Sequence, residues 1–234
     1  MHVTQIWRYP IKSVGGERLE RANVTELGVD GDRRWGLVDD STGFVLTARR
    51  EPKLLMATCA LDENELITTT DTGDTLRTSA DWSEWLGKTV RLEEAGATGG
   101  TYENPLDVEN EADWMSWQGP AAAWHDSGRS RISLVSTGSL GEWDSRRFRA
   151  NVVVEGDGED DLIGSSIRIG DEVRVAVKQG IDRCVMVTRP QPGLERDLDV
   201  LRTITKRPVA TFCIGGLVEQ GGTFTVGDHV DATT

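Results

Sequence analysis

The sequence has only three cysteines, Cys59, Cys184 and Cys213, widely spaced and without a CxxC pair. An odd, scattered set supplies neither a disulfide framework nor a zinc ligand set. It also falls short of the four thiolates that an iron–sulfur cluster ordinarily takes. Histidine is equally scarce: His2, His125 and His229 form no i, i+4 pair of the kind a helical zinc site uses. No run approaches the ~18 apolar residues of a membrane helix. The opening MHVTQIWRYPIKS lacks the apolar centre of a secretion signal, so a cytoplasmic location and no membrane partner are expected. A GxGxxG after a strand and a GxxxxGK[ST] are both missing, which removes the common nucleotide-cradling loops. Excess positive charge is missing too: the formal charge is −13, against nucleic acid or anionic lipid as the main partner. Only five of the 26 basic residues are lysine, at 12, 53, 88, 178 and 206, and the rest are arginine. Many acids with few lysines resemble the proteins of salt-accumulating halophiles.

What is present is an ordinary globular composition, 234 residues with 37% hydrophobic content, enough to bury a real core. The most informative stretch is residues 173–190, VRVAVKQGIDRCVMVTRP. Val173, Val175 and Val177 alternate with Arg174, Ala176 and Lys178, the period of a half-buried strand. Gly180 interrupts it, and Arg183-Cys184 leads into Val185–Thr188, whose β-branched residues predict a second strand stopping before Pro190. A guanidinium beside a thiol favours the thiolate. The competing reading is a buried structural thiol, since free cysteine is among the most buried residue types.

Along the rest of the chain, a strand over 3–8 leads into Tyr9-Pro10-Ile11-Lys12-Ser13. Lys12 and Ser13 beside Gly15-Gly16 make either an anion cradle or a solvated turn. Asp32 can hold Arg33 through a bidentate pair. Strands over 53–61, 65–70 and 75–78 form a meander, and a short helix spans 81–87 with Gly87 as its stop. Residues 94–110 are nearly free of apolar side chains and read as a linker, giving domains of 1–110 and 111–234. A short helix is expected over 112–117, then a strand over 132–136. Ser136, Thr137 and Ser139 begin a helix running to Trp143, where hydroxyls cap free amides and the amides favour a phosphate. Strands over 151–155 and 211–218 and a helix over 197–205 complete the chain, with Cys59 and Cys213 on core faces. The segments at 167–173 and 224–230 echo one another as strand, Gly-Asp turn, strand.

Five segments occur in order: Tyr9-Pro10-Ile11-Lys12-Ser13, Gly31-Asp32-Arg33, Thr47-Ala48-Arg49-Arg50-Glu51-Pro52-Lys53-Leu54, Phe148-Arg149-Ala150-Asn151 and Arg183-Cys184. This ordered set resembles the MOSC family, named for the C-terminal domain of molybdenum cofactor sulfurase. The resemblance implies a mainly β fold with minor α: an N-terminal MOSC-type β-barrel domain followed by a MOSC β-barrel with short helices. It implies a molybdenum cofactor, Mo-molybdopterin, with Cys184 as metal ligand and catalytic centre. Lys12, Ser13, Arg33, Arg149, Asn151 and Arg183 would hold its phosphate and pterin, with Ser136, Thr137 and Ser139 as further candidates. Because these residues come from both halves, the cofactor is expected at their junction.

The two-domain architecture is similar to that of the amidoxime-reducing components. That similarity implies a small N-hydroxylated substrate and a separate electron donor: a ferredoxin, a cytochrome b5-like protein or a flavin reductase. Two other functions compete. One is a molybdopterin or sulfur carrier in cofactor maturation, without turnover of its own. The other is a cysteine hydrolase using Cys184 with His125 and Asp126. Ala150 stands where relatives usually have proline, and Asp182 adds a negative charge beside Arg183-Cys184.

Overall fold

The computed structural model describes residues 1–106 and 112–233. The chain is mainly β, with few short helices. Its centre is an eight-stranded sheet in the order Val230–Thr233, Ser166–Ile169, Val173–Asp182, Thr211–Gln220, Ile132–Ser136, Val152–Glu155, His2–Arg8, Glu17–Leu19. Ile132–Ser136 and Val152–Glu155 run parallel, and the other neighbours antiparallel. The alternation read from the sequence is the cause: Val173, Val175 and Val177 are buried, while Arg174 and Lys178 are exposed. The valines pack with Val3, Ile6, Leu134 and Ile214 on one face. Val153, Phe148, Val187, Val200, Phe212 and Cys213 form a second core.

The two halves are interwoven. His2–Arg8 is an interior strand of the sheet, flanked by Val152–Glu155 from the second half and the edge strand Glu17–Leu19 from the first, and Gly222–Thr225 pairs with Arg21–Thr25 from the first half. Val3 and Ile6 are at most 1% exposed. Each such buried side chain contributes on the order of 1.5–3 kcal/mol, so the first strand is integral rather than accessory.

The remainder of the first half packs Ile11, Leu37, Leu54 and Trp82 around the pairs Trp35–Asp39 with Val90–Glu94 and Ala57–Asp62 with Glu65–Thr70. Its helix, Ser79–Leu86, starts at a Thr78/Asp81 capping box and ends at Gly87 with φ 71°. Val38, Val45, Tyr102 and Trp124 form a fourth cluster, drawn from both halves. No described helix is long and apolar enough to cross a membrane.

Several local expectations are corrected. Residues 53–61 begin as a 3-10 turn, Pro52–Met56, because proline fixes the first φ and supplies no amide; the strand starts only at Ala57. Residues 75–78 contribute a single bridge, Thr69 to Thr75. The expected linker contains a strand, Thr101–Pro105, paired with Trp114–Gln118, so the segment read as a helix over 112–117 is largely strand. The expected boundary between residues 110 and 111 lies outside the described residues. The helix after Ser136 ends at Leu140 instead of Trp143. Val185–Thr188 is a 3-10 turn, its β-branched side chains buried rather than paired. Conversely, Val173–Asp182 continues past Gly180, with three register shifts along its pairing with Thr211–Gln220, and a Cβ at Gly180 would collide with the Thr211 side chain.

Register gathers the motifs. Gly180, Ile214, Leu134, Val152 and Ile6 lie in one row across five strands. Residues 179–183, Ser133, Asn151 and the chain leaving Arg8 are therefore neighbours, although they span most of the sequence.

Candidate functional site

Where those segments meet lies a pocket of about 140 Å³. Lys12, Ser13, Arg33 and Arg49 line it from the first half, and His125, Asp126, Arg131, Arg149, Asn151 and Arg183 from the second. Three of these residues hold left-handed backbone without being glycine: Ser13 (φ 66°), Arg33 (φ 51°) and Arg149 (φ 52°). Such conformations cost of order 1 kcal/mol or more and persist only where neighbours over-determine them. Here the Tyr9 amide donates to Asp32 Oδ1 at 2.8 Å, and the Arg33 amide donates to the Tyr9 carbonyl at 2.7 Å. Asp32 pairs with Arg33 Nη1, while Arg33 Nη2 donates to the Arg149 carbonyl at 3.1 Å. Both guanidinium groups sit over the Tyr9 ring, at 5.3 and 4.2 Å from its centroid. One hydrogen-bonded unit thus aims two arginines at the same space.

Six cations line a pocket in a chain of charge −13. Lys12 Nζ lies 2.9 Å from Asp126 Oδ2, and Arg49 Nη2 lies 3.0 Å from Asp126 Oδ1. Burial pushes Lys12 down to about 8, against the opposing pull of Asp126. Burial and the nearby Arg33 push Arg149 down to about 10. Burial and the surrounding cations hold His125 well below its usual range, so its imidazole is neutral. Burial opposes ionisation of Asp126, but Lys12 and Arg49 outweigh it and hold that carboxyl far below the usual carboxylate range. The Asp126 side chain lines the pocket and is 45% exposed.

Four buried nitrogens of lining residues have no hydrogen-bond partner among the described residues: Arg131 Nη1, Arg149 Nη2, Arg183 Nη2 and His125 Nε2. The remaining donors of two of these arginines are anchored. Arg183 donates from Nε to the Phe212 carbonyl at 2.7 Å and from Nη1 to the Phe148 carbonyl at 2.9 Å. Arg149 Nη1 donates to the Val14 carbonyl. Buried polar atoms are almost always satisfied, and buried cations without an acceptor are costly. Such a set suits an anion with several oxygens.

Cys184 is half-buried, at the start of the 3-10 turn Val185–Thr188, with its Sγ 3.9 Å from Arg49 Nη1. The thiol expected to be reactive is thus half-buried just outside the residues that line the pocket. The guanidinium beside it is that of Arg49, not the expected Arg183, which is tied to the Phe212 and Phe148 carbonyls. Cys59 and Cys213 are core residues whose thiols burial pushes up to about 11.

The structure brings Lys12, Ser13, Arg33, Arg149, Asn151 and Arg183 to the pocket together. Asn151 spends its side chain on the scaffold: Oδ1 accepts from the Ser133 amide at 3.1 Å and hydroxyl at 3.0 Å. Ser136, Thr137 and Ser139 are not among the lining residues. The Ser136 and Ser139 hydroxyls both donate to buried Glu159, at 2.5 and 2.9 Å, and Ser136 Oγ caps the Ser139 amide. Arg49 lies within one of the five segments but carries no site signal of its own in the sequence. Arg131 carries no local signal in the sequence, and Asp126 enters the sequence reading only as a hydrolase partner. No hydrogen bond joins Cys184, His125 and Asp126 into a relay among the described residues; Asp126 is engaged by Lys12 and Arg49 instead.

Residues 1–117 match the MOSC N-terminal beta barrel domain and residues 119–231 the MOSC domain. "Molybdenum cofactor sulfurase 2" of Aedes aegypti is 25% identical over 221 residues, 85% of this chain and 28% of that protein. "Mitochondrial amidoxime-reducing component 1" of Homo sapiens is 31% identical over 111 residues, 46% of this chain and 30% of that protein. The chain therefore spans less than a third of the length of these curated relatives. Among solved structures, the YUAD protein from Bacillus subtilis is 13% identical with a TM-score of 0.46, covering 98% of this chain and 93% of that one.

Proposed function

This chain belongs to the MOSC family, a family associated with binding and sulfuration of the molybdenum cofactor, and on that premise we propose that it is a molybdenum-dependent reductase of N-hydroxylated compounds. The observation that carries the reading is the meeting of four unpartnered buried nitrogens in a single pocket, with a half-buried thiol, Cys184, set beside the lining residue Arg49. The donor set fits a phosphate-bearing pterin: Arg131, Arg149 and Arg183 have free N–H groups for an anion, and neutral His125 adds a ring nitrogen. Cys184 Sγ is a soft ligand of the kind such a metal takes. When bound, the cofactor supplies a metal that can pass two electrons to the substrate.

The chain's own residues then bind and orient. Anchored Arg149 and Arg183 fix the anionic end without moving, because their other nitrogens are tied to backbone carbonyls. Arg49 keeps positive charge beside the sulfur, and Phe148, Ile181 and Met186 supply an apolar wall for the substrate. In the reaction an amidoxime or hydroxylamine takes up two electrons and two protons, its N–O bond breaks, and the amidine or amine and water are released. The electrons come from a separate donor protein.

The alternative is a cofactor or sulfur carrier, favoured by the match to a molybdenum cofactor sulfurase across 85% of the chain. One assay separates them: cofactor-loaded protein, a chemically reduced viologen dye and an aromatic amidoxime. The reductase reading predicts dye oxidation matched by amidine formation. Loaded protein that oxidises no dye with any N-hydroxylated compound, yet passes its cofactor or sulfur to an acceptor enzyme, is the carrier.

A further inference from the structure

Asp126 is the only acidic residue among the described residues that line the pocket. It lies in the irregular segment between Trp114–Gln118 and Ile132–Ser136, and its side chain is 45% exposed. The side chains it neutralises are different: Lys12 is 6% and Arg49 8% exposed. Asp126 is also the sole acceptor of Lys12 Nζ among the described residues. Its two oxygens are divided, Oδ2 to Lys12 and Oδ1 to Arg49, much as two oxygens of a phosphate would span the same donors.

An acid at the centre of a cation-lined anion pocket needs a reason. Without ligand, Lys12 Nζ and Arg49 Nη2 would be buried donors lacking an acceptor, since Arg49 otherwise donates only from Nε to the Glu103 carbonyl at 3.0 Å and from Nη1 toward the Cys184 sulfur. One carboxylate relieves both. The same carboxylate repels any incoming anion. The asymmetry of exposure shows which partner can leave: a half-exposed acid on an irregular segment regains water by rotating away, whereas the buried cations have nowhere to go.

We propose that Asp126 is an internal placeholder, which holds Lys12 and Arg49 while the pocket is empty and is displaced when a phosphate-bearing ligand enters. This rests on the reading that the pocket takes an anionic cofactor, and it makes Asp126 a determinant of selectivity. A phosphate competes for two donors at once, while a weakly charged anion leaves the acid in place.

The test uses inorganic phosphate as probe and calorimetry on the full chain without cofactor. Asp126→Asn is expected to bind phosphate at least about tenfold more tightly than the unmodified protein, because a competitor has been removed. Glu103→Gln is the charge-matched control, since the Glu103 side chain pairs with Arg50 and does not line the pocket, and the variant keeps the backbone carbonyl that accepts from Arg49 Nε. It is expected to change affinity less than about twofold. Equal affinity for Asp126→Asn, no binding by either protein, or an equal gain in the control overturns the proposal. A second readout is the Lys12→Gln/Asp126→Asn double-mutant cycle in thermal unfolding. Coupling should appear without phosphate and vanish at saturating phosphate; coupling that survives saturation overturns displacement. Asp126→Ala repeats the binding measurement should the asparagine variant not fold. Because the probe is phosphate, failure here leaves molybdenum content untouched, and absence of molybdenum leaves this result standing.

Discussion

Arg149 is held where folding alone has little reason to put it. Its side chain is buried, its backbone is left-handed, Arg33 stands beside it, and one of its nitrogens has no partner. Replacing it should therefore cost the empty protein little while removing a donor from the pocket. Arg149→Met is expected to leave the unfolding free energy within about 1 kcal/mol, the lost bond to the Val14 carbonyl being offset by relief of burial and repulsion. Phosphate binding should weaken about tenfold or more, the effect of losing a charged hydrogen bond. Thermal melts with calorimetry check both; stability and binding lost together would make the arginine structural.

The same residue shows how far single positions were legible. Lys12, Ser13, Arg33, Arg149 and Arg183 stood out because each belongs to a short segment with a recognisable pattern, and the pocket contains them all. Asp126 did not stand out, because an acid looks wrong for an anion site until its two cations are seen around it. Ser136, Thr137 and Ser139 looked right for the opposite reason. Hydroxyls at a helix start suit a phosphate, but Glu159, some twenty residues on, occupies two of them, and nothing local announces that.

At the scale of elements, the Cys184 thiol is positioned by a turn rather than by the strand pair expected there. Val185–Thr188 has β-branched residues and still forms a 3-10 turn, because Val185 and Val187 face the core. Buried Arg147 stabilises that choice: its guanidinium donates to the carbonyls of Val187 and Arg189 at 3.4 Å and of Glu195 at 2.7 Å. Propensity could not reveal this, since the deciding partner lies about forty residues away. Arg147→Met leaves those carbonyls unpaired and is expected to cost about 2–4 kcal/mol. In a chain of this size that lowers Tm by roughly 5–15 °C in calorimetry. An unchanged Tm would mean that the turn holds itself.

At the scale of the whole molecule, the pocket exists because the halves are threaded through one another. The first strand, set beside Val152–Glu155, carries Lys12 and Ser13 toward Arg149, and the bulged strand Val173–Asp182 carries Arg183 and Cys184 to the same level. The meeting of motifs from both halves was what the family resemblance implied, while the mainly β class could be read from alternation. The interweaving could not, because strand pairing across more than a hundred residues leaves no local trace.

The central claim is that this junction grips a molybdenum cofactor through Cys184. Its most direct measurement is the molybdenum content of the full chain purified from a host that makes the cofactor, compared with Cys184→Ser. The account predicts close to one molybdenum per chain in the unmodified protein, and its loss in a variant whose Tm equals that of the unmodified protein without cofactor. Molybdenum absent from the unmodified protein, or fully retained without that sulfur, would contradict it.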